Sequence, residues 1–242
     1  MNERNLAGIA SGLMTETLLH SPCPRTFALM LPFKPLDEKG LRRAVKTLAA
    51  RDADLAAIVA RFGPPPLWPR EPGFATLVHI ILEQQVSLAS AKAAFDRLQA
   101  ALVRIEPEAF LTLDDVTLKA IGFSRQKTQY VRSLAGALLE GELDLHGLHE
   151  QEDAAIRAAL KRLKGIGDWT VDVYLLMALR RPDVWPVGDL GLLVAAQEVK
   201  RLPVRPTPAE LETLGEPWRP WRAAAARLLW HHYLSTRRPV QP

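Results

Sequence analysis

From Leu36 onward, apolar residues recur at three- and four-residue spacing, and alternating β-branched runs are rare. That period puts apolar side chains along one face of a helix, so the chain is expected to be all-α. The predicted helices run Leu36 to Ala50, Ala53 to Phe62, Phe74 to Gln85, Leu88 to Val103, Leu113 to Ile121, Arg125 to Leu139, Glu152 to Leu163, Trp169 to Arg180, Leu190 to Arg201, Pro208 to Leu214 and Pro220 to Leu234. Gly, Pro, Ser, Thr or Asp stands at nearly every boundary, as caps and breakers do. The run Gly63-Pro64-Pro65-Pro66-Leu67-Trp68-Pro69 reads as a connector, because prolines lack amide donors and push the residue before them into extended geometry. Residues 1–35, with Pro22, Pro24, Pro32 and Pro35 around Phe27 and Met30, are expected to form a non-helical arm ahead of a helical domain over 36–242. The chain shows no internal repeat and no low-complexity tract.

Composition narrows the classes without choosing among them. A chain of 242 residues can bury a real core in one large domain or two small lobes. The formal charge of +4 and pI near 9.4 permit a nucleic-acid partner and prove none. One cysteine, Cys23, excludes an internal disulfide framework and any four-cysteine cluster or zinc site. The pairs His146 with His149 and His231 with His232 come without further ligands, so no metal is assigned. The first twenty residues lack the basic start and apolar run of a secretory signal, and no stretch has the length of a membrane span. A cytoplasmic protein, nucleoid-associated if bacterial, and a monomer is expected.

The strongest local signal is Leu160-Lys161-Arg162-Leu163-Lys164-Gly165-Ile166-Gly167-Asp168-Trp169-Thr170. One helix ends, two glycines bracket an apolar residue, and a second helix begins at once. Glycines allow positive φ and let backbone N–H groups approach an anion, while the following helix N-terminus adds its partial positive charge. Lys164, Gly165, Ile166, Gly167 and Thr170 are therefore candidates for holding a DNA phosphate without reading sequence. The plainer account is a glycine turn ending a helix whose cations suit its C-terminus.

The run from Leu163 to Thr170 resembles the hairpin of helix-hairpin-helix DNA glycosylases, and Asp189 lies where that family places its catalytic aspartate. Three further segments match in order: Ile80 to Ser87, Ile121 to Lys127, and Trp218 to Arg222. The resemblance covers roughly Leu41 to Leu234 and is nearest the 3-methyladenine, or alkylpurine, branch. It implies two helical lobes with an active-site cleft between them. The branch with a full amino-terminal β-domain would need a longer leader than residues 1–35, so the compact form is expected.

Within that resemblance, Asp189 opens a helix and can serve as an N-cap. The helix N-terminus would also favour the ionised carboxylate that stabilises a sugar with oxocarbenium character. The resemblance implies a Schiff-base lysine at position 169 in lyase-active members. This chain has Trp169, so excision leaving an intact abasic site is expected. Flipping a base out of duplex DNA requires a filler, and the Gln84-Gln85 turn matches the wedge loop. Trp169 and Trp230 match aromatic pocket positions suited to an electron-poor base. Val173 stands where close relatives carry Tyr, with Tyr174 adjacent. Trp218, Trp221 and Arg222 read as core packing, and Arg125 and Lys127 as phosphate contacts or solvated cations. The resemblance allows a monovalent cation at the hairpin carbonyls, and no other cofactor is expected.

Three readings follow. The first is a monofunctional glycosylase removing alkylated purines from duplex DNA in base excision repair. The second is a same-fold glycosylase for deaminated or oxidised bases. The third is a non-catalytic helix-hairpin-helix module that binds or flags DNA, which would have no use for a carboxylate at 189.

Overall fold

The computed structural model of the protein describes residues 34–237. The expected arm lies outside the described residues, apart from Lys34 and Pro35, which are not helical. The described residues form α1 (Glu38–Arg51), α2 (Ala53–Phe62), α3 (Phe74–Glu83), α4 (Leu88–Ala101), α5 (Pro107–Leu111), α6 (Asp115–Ile121), α7 (Arg125–Leu139), α8 (Asp153–Lys161), α9 (Asp168–Met177), α10 (Leu190–Val199), α11 (Pro208–Gly215) and α12 (Arg222–Thr236). Short 3-10 turns cover Gly147–Glu150 and Glu216–Trp218. No strand occurs among the described residues, so the all-α expectation holds. No described helix is long and apolar enough to cross a membrane.

Side-chain caps set many of the helix starts. Asp37, Asp52, Ser87, Asp114, Ser124, Asp189 and Thr207 each accept a first-turn backbone N–H, and Thr207 with Glu210 completes a capping box. Several ends differ from the periodicity reading. The α3 helix stops at Glu83 because Gln84 leaves helical geometry and Gln85 turns left-handed, with φ of 57°. The α9 helix stops at Met177 and not Arg180. There the Leu176 carbonyl accepts from Arg227 and the Met177 carbonyl from the Arg70 N–H. The five residues of α5 bury only Phe110 and show no helical period.

The main helix packings fall into two sets. The helices α1, α2, α10, α11 and α12 pack on one another. In the other set, α3 packs on α4, α7 and α9, α5 and α6 pack on α7, and α8 packs on α9. Buried polar links hold the first set together. Asp52 accepts from Lys200 Nζ at 2.7 and 2.8 Å and from Trp218 Nε1 at 2.9 Å, tying the α1–α2 corner to the end of α10. Trp218 is buried edge-on to Trp185, and Arg222 pairs with Asp183 and Glu212, so both close the core as expected.

One buried cation joins the sets. Arg227 of α12 is fully buried and donates to the carbonyls of Leu67, Ala223 and Leu176, at 2.9, 3.1 and 2.7 Å. It thereby binds the connector and the end of α9 to α12. Burial pushes its guanidinium down to about 9, which still leaves it charged at neutral pH.

Candidate active site at Asp189

The two-glycine hairpin joins α8 to α9. Gly165 takes φ of 89°, and a Cβ there would fall inside the Tyr130 ring of α7, so the position is closed to any side chain. Gly167 is different: it N-caps α9 with φ of −101°, and no heavy atom lies within 4 Å of where its Cβ would sit. Gly167 has no side chain with which to cap the first-turn N–H groups of α9. Lys164 is exposed beside this turn.

Two hairpin residues are engaged within the protein. Ile166 is buried, and its N–H donates to Leu163 O at 3.2 Å, so it anchors the turn and does not offer a free donor. Thr170 is also buried, with its hydroxyl accepting from Gln84 Nε2 at 3.0 Å. The same Gln84 amide donates to Gly165 O at 2.9 Å. Gln84 therefore clamps the α3–α4 turn to the hairpin. Gln85 is the exposed, left-handed tip of that turn. Lys127 turns inward as well, donating to Leu82 O at 2.7 Å, and burial pushes its ammonium down. Arg125 is exposed.

Asp189 is placed by the turn before it. Trp185 is buried and its indole donates to Leu211 O at 2.9 Å, while the Asp189 N–H closes back on Pro186 O at 3.0 Å. The carboxylate then meets three donors. Oδ1 accepts from the Leu192 N–H at 2.9 Å and from Trp230 Nε1 at 2.9 Å; Oδ2 accepts from Trp169 Nε1 at 2.8 Å. Trp169 sits at the start of α9, Asp189 caps α10 and Trp230 lies on α12, so the cluster spans the two helix sets. All three residues are half-buried.

Gly191 completes the site, and its spacing alone gave no sign of this. A Cβ there would lie 3.1 Å from Asp189 Oδ1 and 3.6 Å from the Trp230 ring, so a side chain would press on the carboxylate and shift it by a few tenths of an ångström. Val173 of α9 is buried, and Tyr174 cannot stand in for the missing pocket tyrosine: it is fully buried with its hydroxyl held by the Gly73 N–H at 3.2 Å. A groove of about 370 Å³ between α4 and the loop after it, lined by Phe95, Leu102 and Ile105, lies apart from Asp189 and offers no carboxylate–indole chemistry.

His231 bonds Phe62 O and His232 bonds Glu198, and no metal-ligating group of three exists among the described residues. The arrangement at Asp189 is thus a three-donor carboxylate bonded by two indoles. It can stabilise a cation and orient water.

Residues 78–220 match the model of the HhH-GPD superfamily of base excision DNA repair proteins. The chain is 26% identical over 196 residues to the alkylbase DNA glycosidase-like protein mag2 of Schizosaccharomyces pombe, covering 78% of this chain and 92% of mag2. It is 29% identical over 180 residues to DNA-3-methyladenine glycosylase 1 of the same yeast, covering 73% and 79% of the two chains. The solved structure of the S. pombe 3-methyladenine DNA glycosylase Mag1 in complex with abasic DNA superposes with a TM-score of 0.71 at 27% identity, over 78% of this chain and 95% of that one.

Proposed function

Because the chain belongs to the HhH-GPD superfamily of base excision DNA repair proteins, we propose that it is a monofunctional DNA glycosylase for alkylated purines of the 3-methyladenine type in duplex DNA. The observation that carries this reading is the single carboxylate of Asp189 held between Trp169 and Trp230. Alkylation makes the base a cationic leaving group, so bond breaking needs no acid to protonate it. The sugar gains oxocarbenium character, the Asp189 anion stabilises that charge, and water adds at the anomeric carbon to leave an abasic site. The indole faces suit an electron-poor, positively charged ring. That the related S. pombe enzymes are named for alkylated bases supports the same substrate class.

Gln85 is the residue that enters the space left by the flipped base. Lys164, Gly167 and the N–H groups opening α9 hold a backbone phosphate beyond it. A monovalent cation at the hairpin would have to share its oxygens, since Gly165 O is engaged by Gln84 and Leu163 O by Ile166 N–H; no step is assigned to it. The protein acts as a cytoplasmic monomer.

The absence of an amine at position 169 has a direct chemical consequence. Indole cannot form an imine, so incubation with a damaged duplex is expected to release free base and leave the strand whole until alkali is added. Borohydride should trap no protein–DNA adduct; strand breakage without alkali together with a trapped adduct would refute monofunctional excision.

The two glycines separate fold from binding. Gly165→Ala should cost stability outright, since it forces a Cβ into Tyr130 at positive φ. Gly167→Ala has room and an ordinary φ, so its melting temperature should stay within about 2 °C of wild type while affinity for any duplex drops severalfold. Unchanged affinity in a low-salt titration would reduce Gly167 to a turn residue.

A further inference from the structure

Trp169 and Trp230 have so far been treated as faces on which a base can stack, but their edges are equally specified. Stacking alone leaves an indole N–H free to point at water or any nearby carbonyl. Here the two N–H groups, brought by α9 and α12 from different helix sets, converge on the two oxygens of one carboxylate at 2.8 and 2.9 Å. With the Leu192 N–H on Oδ1, three donors fix the side chain from three directions.

Donors to an ionised acceptor make the strong class of hydrogen bond, and half-burial strengthens them further. The occupancy is also uneven. Among the described residues Oδ1 accepts two bonds, whereas Oδ2 accepts the Trp169 indole alone. Oδ2 therefore keeps a lone pair for what enters the site. A carboxylate free to rotate would average its charge over several positions and lose orientation at the reacting carbon.

We propose that Trp169 and Trp230 are positioning residues that act through their indole N–H groups, holding Asp189 in one rotamer with Oδ2 presented to the reacting sugar. The proposal rests on the glycosylase reading of Asp189. It also means that ring orientation and carboxylate orientation are set by the same bonds, so disturbing either indole disturbs the anion.

The test removes the N–H and keeps the ring. Trp169 and Trp230 are replaced singly by 3-benzothienylalanine, which retains the bicyclic shape and substitutes sulfur for N–H, and by Phe as a genetically simple parallel. In the apoprotein labelled with ¹⁵N on the indoles, the signals lost in Trp169→Phe and Trp230→Phe identify the two of six tryptophans concerned. Both signals should move in Asp189→Ala, and the other four should not. Single-turnover base release by each benzothienylalanine protein should fall about tenfold or more, while affinity for the damaged duplex changes less than about twofold. Indole signals indifferent to Asp189→Ala overturn the contact. Signals that move while base release stays within twofold of wild type overturn the positioning role. A wild-type protein that releases no base at all overturns the glycosylase reading itself, and this proposal with it.

Discussion

Asp189→Asn is expected to reduce single-turnover base release by on the order of hundredfold or more while leaving affinity for duplex DNA nearly unchanged. The substitution keeps side-chain shape and removes the charge that faces the sugar cation. It also alters the cluster, because an amide presents one acceptor oxygen where the carboxylate presents two to Leu192, Trp230 and Trp169. The fold should survive, since an Asn at this place can still cap α10. Rate and binding must both be measured. A wild-type rate in folded Asp189→Asn protein would remove Asp189 from the chemistry and leave it as a helix cap.

Arg227→Ala is expected to have the largest effect on stability, about 4 kcal/mol or more. Two carbonyls outside its own helix, Leu67 O and Leu176 O, would lose their guanidinium donor in a fully buried place, and a cavity would open beside them. In a chain of this size that corresponds to a melting temperature lower by roughly 10 °C. Arg227→Met tests the cause: it fills most of the volume and carries no charge to desolvate, yet still strands both carbonyls, so it should fall between wild type and Ala. The side chain lies one turn before Trp230 and grips the end of α9, the helix that begins with Trp169, so loosening it should also slow base release in the folded fraction. A melting curve for Arg227→Ala that overlays wild type would show that the two helix sets are held by other contacts.

What the sequence made legible, and what it hid, follows from the range of the interactions involved. The bounds of α2 and α7 match the periodicity reading at both ends because their starts are local: Asp52 and Ser124 stand in the chain as caps, and Gly63 ends α2. The ends of α3 and α9 were overrun because their terminating partners are distant. Lys127 binds Leu82 O from 45 residues away, and Arg227 binds Leu176 O from 51. The site shows the same division. Asp189, Trp169, Trp230 and the glycine hairpin stand out by residue type and spacing within a family resemblance, and the structure brings the first three into one cluster. The bonds of Ile166 and Gln84 could not be read that way, since each depends on where one N–H or one amide is spent after the turn closes. The indole edges on Asp189 were hidden for the same reason: three helices must meet before the bonds exist. Gly191 became visible only when the volume a Cβ would need could be compared with Asp189 Oδ1.

The most direct measurement is single-turnover release of base from matched duplexes carrying 3-methyladenine, 7-methylguanine, uracil or 8-oxoguanine, each sample divided between direct analysis and alkali. An ionised Asp189 can help expel a base that is already a cation, but has no proton to give a neutral one. Both methylated purines should be released, with strands breaking only after alkali, and the neutral lesions should lag far behind. Removal of uracil or 8-oxoguanine while both methylated purines persist would contradict the assignment.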